Sequence, residues 1–590
     1  MAVRLLLDNH EVITDSSQEI RITKENPYFT LSDSYTLEVS VPLYILQNRR
    51  FFGNIHRRDR RKEYREYACR LYCSNKLLLE GTAHILQSSE SVVKLQLATG
   101  ISALKMSSEQ EGTYIDAMIT EIEGANYYLF SSDLDDGYRV GPNHSGYGIP
   151  LYDSSNDKVV NIREERSTVG RVSRYASECP KLLDVARLVA AKMGYTLNTS
   201  VLPIACESIY IVSATHGHLG KKLPHWTVKE FFTQLQNFFG CTLVRDGSKA
   251  LRMVSVNSFA SNRITAIRPL DEYQAEYSED DEADGIMNKN VEFDMDESGL
   301  ETVDEEILAQ AEYTASYDSA GAMQNAFRND GEYVKMHKIY RLNGEKYVGW
   351  KTEEGQYDLK RIAPFNPLKR FDGAGFEQLK IVPAHMEEDV DCQLNAEIHV
   401  FINPSYNHFK LHLPTVTNAY EQTITTDFDS EGDTQKPTLQ SLVEGTESVD
   451  KDEEKADIMC VVFFDNRSET LTVQDEFFPD LSYNYIIHLG FTDYNFQRQL
   501  SNNRSRWSFS LNELAGYDFY LGQLHQLSFS CSHKVKHLFK FLSDTIPNPE
   551  DIFVIDGKKY VCEKIEATVR DGELDKLMTG YFHEMFTGNH

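Results

Sequence analysis

His216, His218 and His225 come closest, by type and spacing, to a chemical site. A His-x-His pair on a strand can bind metal, but no acid or cysteine stands at ligand spacing to complete a set, so the three read as surface histidines. Cys69 and Cys73 are four apart in a stretch that reads as a strand, and both therefore face one side. No second pair follows, and they read as core thiols. Asp271 to Glu306 holds sixteen acids and one lysine, Lys289, yet lacks the Asp-x-Asp-x-Asp-Gly pattern with Glu at the twelfth position that calcium loops use. The chain has no glycine-rich dinucleotide turn, phosphate loop, Gly-x-Ser-x-Gly elbow or His-Glu-x-x-His helix. Carboxylates are numerous, but none sits in a local context that would raise its pKa and mark it as an acid catalyst. The expectation is a chain with no catalytic, cofactor or metal site.

Charge distribution is more informative. The chain carries 60 Lys and Arg against 90 Asp and Glu, a net of -30. Such a balance disfavours clamping phosphates over most of the surface, and it disfavours an anionic membrane. One segment reverses the sign. Arg49 to Arg70 holds nine basic residues against three acids. It reads as a solvated loop or as a dock for an acidic neighbouring subunit, with Arg49, Arg50, Arg57, Arg58, Arg60, Arg61 and Lys62 as the interface residues. A nucleic-acid patch lacks any recognisable module. The acidic stretch, with Glu279, Asp280, Asp281, Glu282 and Asp284 at its centre, reads as a solvated or channel-facing surface that would let DNA pass without sticking.

These segments sit in a chain of 590 residues, enough for about four domains. No run of about 18 apolar residues exists to span a bilayer. The first residues read as no signal peptide. Nine scattered cysteines fit reduced thiols and synthesis in a host cytoplasm.

The clearest folded unit is 180–260. Leu182, Val185, Val189 and Met193 share a helical face that Gly194 ends. Thr227 and Glu230 form a capping box before the stripe Phe231, Leu235, Phe238, Phe239, which Gly240 stops. Two strands follow around Asp246-Gly247. Residues 1–125 alternate like strands: Leu37, Val39, Val41; then Cys69, Leu71, Cys73, turning at Ser74-Asn75. Residues 126–179 read as extended connecting loops, and 261–364 as the acidic segment plus a small β region with a turn at Asn343-Gly344. Residues 365–590 return to β, ending in a hairpin at Asp556-Gly557. Within them, 427–454 has ten acids, two lysines and few apolar residues, and reads as a mobile excursion.

Several stretches resemble the tail proteins of Bacteroides-type phages and prophages. They include Asn26-Pro27-Tyr28-Phe29-Thr30, Phe52-Gly53-Asn54-Ile55-His56-Arg57, Gly81 to Gly100, Leu223-Pro224-His225-Trp226-Thr227-Val228, Leu379 to Pro383 and Gly557 to Glu563. The order of parts is similar to baseplate hub and tail-tip proteins. That resemblance implies an α+β, mostly β fold: two tube-like β-barrel domains flanking an α/β module, with extended loops. It implies a non-enzymatic structural protein of the virion tail that joins tube to spike or tip and surrounds the DNA path. It also implies a homotrimer, whose two barrels per chain match a sixfold tube. The partners would be the tail tube protein, the spike or tip proteins and the tape measure protein. Some relatives carry a peptidoglycan-cutting domain; none is visible before His590. A tail-tip cell-wall hydrolase and a β-rich glycan-binding protein are the alternative readings. A secreted binder should carry a signal peptide.

Overall fold

The computed structural model describes residues between 3 and 586; the stretches of five or more outside that description are 60–64, 120–126, 129–145, 167–171, 213–218, 278–288, 295–312, 362–366, 370–374, 394–407, 416–457 and 475–481. Eight short strands build the first half of the main sheet: β1 (Arg4–Leu7), β2 (His10–Val12), β3 (Ile20–Glu25), β4 (Tyr35–Thr36), β5 (Val39–Pro42), β6 (Glu66–Cys73), β7 (Lys76–Ser88) and β8 (Val92–Ala98). Alternation decides which side chains go inside. Leu5 and Leu7, Val39 and Val41, Cys69, Leu71 and Cys73, and Val93, Leu95 and Leu97 form one core. Ser74 and Asn75 both take positive φ (48° and 64°), which a two-residue hairpin needs. The spatial order is β2-β1-β6-β7-β8-β4-β3, with β5 also on β8.

Three helices decorate this half: α1 (Pro27–Thr30), α2 (Leu46–Phe51) and α3 (Gly100–Glu111). Asn26 caps α1 by accepting from the Tyr28 amide at 3.1 Å. From α2, Asn48 reaches back across the open side of the sheet. Its Nδ2 donates to the carbonyls of Ile13 (2.7 Å) and Pro42 (2.9 Å), and its Oδ1 accepts from the Ile13 amide (3.0 Å). Nearby, Gln18 exchanges two bonds with the Ser40 backbone. Two side-chain amides thus span the gap between the chain after β2 and strand β5.

The module is built as its local signals predict. In α4 (Leu182–Lys192), Leu182, Leu183, Val185, Ala186, Val189 and Ala190 are buried, and Gly194 follows at φ +76°. β9 (Thr196–Asn198) comes next. Thr227 caps α5 (Val228–Phe238), accepting from the Glu230 amide at 3.1 Å. β10 (Cys241–Arg245) and β11 (Ala250–Ser255) pair antiparallel, and β9 lies parallel on β11. The core of the module continues into later chain. The strand Met459–Gln474 pairs with Ile209–Ile211, Ile381–Pro383 and Ser482–Asp493. Its Phe463 stacks on Phe509 at 4.1 Å.

The second half of the main sheet uses β12 (Ile264–Ala266), β13 (Pro269–Tyr277), β14 (Val535–Leu542), β15 (Ile552–Ile555), β16 (Lys558–Arg570) and β17 (Leu577–Phe586). Its order is β12-β15-β16-β17-β14-β13. β12 and β13 are one run of chain, broken only at Ile267-Arg268, so that run pairs with β15 through its start and with β14 through its end. Phe539, Phe541, Phe553, Tyr560, Phe582 and neighbours fill the inside. Asp556-Gly557 turns with both φ positive, as expected for the hairpin.

The chain is mostly β, but the arms do not form two separate barrels. β3 pairs antiparallel with β16, from Ile20 opposite Val569 to Glu25 opposite Lys564. This seam joins the halves into one 16-stranded sheet, and among the described residues no sheet closes on itself by strand pairing. The physical reason is edge satisfaction. Each half leaves a long strand with an unpaired backbone edge, and pairing those edges internally satisfies both.

A smaller unit stands apart. Tyr313–Tyr317, Lys338–Leu342, Glu345–Lys351 and Tyr357–Arg361 make a four-stranded sheet around Met323, Phe327 and Tyr340. The expected turn at Asn343-Gly344 and the expected excursion 427–454 lie outside the described residues.

Candidate functional site

The seam ends in a charged joint where three parts meet. β3 contributes Lys24 and Glu25 at its last two positions. The loop after α1 contributes Asp33, the end of β10 contributes Arg245, and the connection between β14 and β15 contributes Asn548 and Glu550. Together with Leu77 to Glu80 of β7 they line a cleft of about 390 Å³. Each residue is held by local structure. Arg245 donates to the Glu80 carbonyl at 2.6 Å, tying module to first half. The Glu550 carbonyl accepts from Asn262 at 2.9 Å. Asp33 lies over the first turn of α3, where its backbone N–H donates to Ser102 Oγ at 2.7 Å. Gly100 sits at φ +50°, a conformation other residues adopt only with strain, and a β-carbon there would displace the Asp33 carboxylate.

The electrostatics follow from burial. Burial pushes the Lys24 ammonium down, with Asp33 opposing and Arg245 adding to the shift. Burial pushes the Glu25 carboxyl up, and Tyr35, which donates to it at 3.2 Å, is itself pushed up to about 12 by burial and by Glu25. Burial also raises Glu550, with Asp33 and Asp551 adding repulsion. Acid–base catalysis by two carboxyls needs their pKa values pushed apart. Here Glu25 and Glu550 are both shifted upward, chiefly by burial.

A second charged group lies at the same end of the seam, where Glu25 pairs with Lys564. Glu563 accepts from His583 Nε2 at 3.1 Å and pairs with Lys536 at 2.9 Å. His583 also faces the Ser532 carbonyl at 3.0 Å and stacks on Phe29 at 4.6 Å. Burial alone would raise Glu563, but the hydrogen bonds from His583 and Lys536 outweigh it and hold the carboxyl below its ordinary value. Asn26 adds two links here, its amide to the Glu563 carbonyl and its Nδ2 to the Cys562 carbonyl.

The residues singled out from the sequence fall elsewhere. Arg49 and Arg50 sit in the last turn of α2, and Arg49 Nε donates to the Leu43 carbonyl at 3.0 Å. Arg57 pairs with Asp59 and Arg58 with Glu90, both on the surface. Arg60, Arg61 and Lys62 lie outside the described residues, as do Glu279, Asp280, Asp281, Glu282, Asp284, His216 and His218. His225 bonds Asp116 at 3.1 Å and stacks on Tyr114 at 3.9 Å. Cys69 and Cys73 both face the core, and burial pushes the Cys69 thiol up to about 12. Among the described residues no group of three or more His, Cys, Asp or Glu is placed to hold a metal ion, and no helix is long and apolar enough to cross a membrane. The joint itself was not foreseen. Lys24 and Glu550 lie more than 500 positions apart, and nothing local to either points to the other.

No family model and no curated protein matches the chain. Among solved structures it is similar to the 43 kDa tail protein of prophage MuSo2 from Shewanella oneidensis, with a TM-score of 0.31 and 8% identity over 99% of this chain and 98% of that one. It is also similar to the tail protein from Neisseria meningitidis MC58, with a TM-score of 0.29 and 7% identity over 99% of this chain and 96% of that one.

Proposed function

We propose that the chain is a structural subunit of a phage tail or phage-derived injection device, the baseplate hub or tail-tip protein. The observation that carries the reading is the doubled sheet: one chain supplies two β halves joined at the β3–β16 seam. The sequence resemblance to Bacteroides-type tail proteins gives that doubling its meaning. Two β halves per chain, in three chains around an axis, would offer six units to a sixfold tube. The two ends of the sheet, β2 and β13, are different strands, so contacts between copies would be heterologous, as a closed ring requires. The net charge of -30 suits a wall along which DNA passes without binding. The tail tube protein, the spike or tip proteins and the tape measure protein are the partners in this reading, and the role is non-enzymatic.

The test is immunogold labelling of particles released by a strain that carries the gene, using antibody raised against the purified chain. Gold at one end of the tail supports the reading. Intact tails that never carry gold overturn it.

A further inference from the structure

We propose that Lys289 and Asn237 become joined by an intramolecular amide bond, with Glu377 carrying the protons. The modification concerns the chain itself and stands apart from its reading as a tail subunit.

Three elements converge here. Asn237 is the next-to-last residue of α5. Lys289, the one lysine of the acidic stretch 271–306, directly precedes the strand Asn290–Phe293. That strand runs parallel to Phe376–Leu379 and sets Val291 beside Glu377, which brings Lys289 within reach of the carboxylate. Glu377 Oε2 accepts from Lys289 Nζ at 2.7 Å, and Glu377 Oε1 accepts from Asn237 Nδ2 at 2.5 Å. One carboxylate therefore holds an amine and a carboxamide together. Their neighbours in the chain, Phe238, Val291 and Leu379, belong to the core of the module. Asn237 is 4% exposed, and the side chains of Lys289 and Glu377 are 33% and 21% exposed, so water reaches the group from one side only.

An ordinary ion pair would satisfy Lys289 and Glu377. The third group adds chemistry, because the same carboxylate can take a proton from the amine and give one to the amide nitrogen that must leave. A proton passes from Lys289 Nζ to Glu377 Oε2, which frees the nitrogen lone pair. Nζ attacks Asn237 Cγ, and the carbonyl pair moves onto Oδ1. Glu377 then protonates Nδ2 and takes up the proton that the attacking nitrogen sheds. The pair on Oδ1 returns, the Cγ–Nδ2 bond breaks and ammonia departs with that proton as ammonium. The product is a Lys289–Asn237 amide, with Glu377 again a carboxylate, and no oxidant or further reactant is consumed. Holding both groups on one carboxylate makes the step unimolecular, which removes much of its entropic barrier. The bond would tie α5 to the strand that emerges from the acidic stretch, so the two could not part even when the fold is stretched.

Mass measurement on the denatured, full-length chain tests this. The wild type should be lighter than its sequence by one ammonia, about 17 Da, and a digest should contain one branched peptide joining Asn237 to Lys289. Lys289→Arg keeps a cation beside Glu377 but offers no amine to attack, so its mass should equal its sequence. Glu377→Gln should leave the bond unformed for want of a proton carrier. Circular dichroism matching the wild type shows that the variants have folded. A wild-type chain at its full sequence mass, or a loss of ammonia located at other residues, overturns the bond whatever the variants do. A Glu377→Gln chain that still carries the branched peptide overturns the role given to Glu377.

Discussion

The first half of the main sheet runs out of strands at β2 and β5, and the gap is spanned by the side chains of Asn48 and Gln18. The second half has no such gap, because the β12–β13 run pairs with strands at both ends of its order. One half is held at its open edge by a few polar bonds, the other by covalent continuity and an aromatic core. Side-chain bridges can be cut one residue at a time. Continuous chain cannot, so the second half should yield only to loss of its core.

The largest expected effect is therefore in the second half. Phe582 is fully buried and touches Phe539, Phe553 and Tyr560 in edge or tilted contacts. Phe582→Ala should cost about 3–5 kcal/mol, the usual range for emptying an aromatic site. Chemical denaturation of the full chain measures it. A loss under about 1 kcal/mol would mean that this core contributes little beyond what chain continuity already holds.

Asn48→Ala comes next. It leaves the Ile13 amide and the Ile13 and Pro42 carbonyls without the partner that serves them, the Pro42 bond being buried. The expected cost is about 2–3 kcal/mol. Hydrogen exchange should show the loss confined to 10–13 and 39–43, with the second half protected as before. Loss of protection spread evenly over both halves would break the comparison.

The two charged groups at the end of the seam sharpen it through pH. Glu563 is held below its ordinary value, so its contribution is present at neutral pH and is lost as pH falls through its folded value. Glu25 and Glu550 are held above theirs, so their burial costs stability at neutral pH, and that cost is relieved as pH falls through their raised folded values. Glu563→Gln should destabilise at pH 7 by about 1–2 kcal/mol. Glu550→Gln should stabilise slightly at pH 7, by less than about 1 kcal/mol. Melting curves of both variants from pH 7 downward give the answer. Shifts of the same sign would mean that the joint and the His583 cluster act as one network.

How far these features could be read from the sequence depends on how local their causes are. Helix caps at Thr227, stops at Gly194 and Gly240, and turns at Ser74-Asn75 and Asp556-Gly557 depend on a few neighbouring residues, and all were legible. Alternation assigned Cys69, Leu71 and Cys73 to a core but could not name the strand beside them. The seam pairs Ile20 with Val569, a partnership that no local pattern encodes, and so two arms expected to be separate share one sheet. β13 opens the acid-rich stretch 271–306, where composition outweighed Tyr273 and Tyr277, the aromatics that give it strand character. Helix α3 lies in an arm read as β; Ile101 and Leu104 are on its buried face. The joint needed all of these placements at once.

The smallest expected effect within the isolated chain concerns the basic segment. Arg49 and Arg58 belong to the same run of arginines but have different tasks. Arg49 donates inward to the Leu43 carbonyl, at the edge of the bridged gap. Arg58 pairs with Glu90 while 93% of its side chain stays exposed, and exposed pairs gain little over hydration. Arg58→Ala should therefore leave the melting temperature of the isolated chain unchanged. Arg49→Ala should lower it slightly and, because Leu43 follows β5, should do so in the same exchange-protected region as Asn48→Ala. If Arg58→Ala instead weakens self-association while the melt is unaffected, the segment is an interface after all, acting between copies rather than within one. If both substitutions leave melt and association alike untouched, the positive charge of this loop serves neither the gap nor the neighbour.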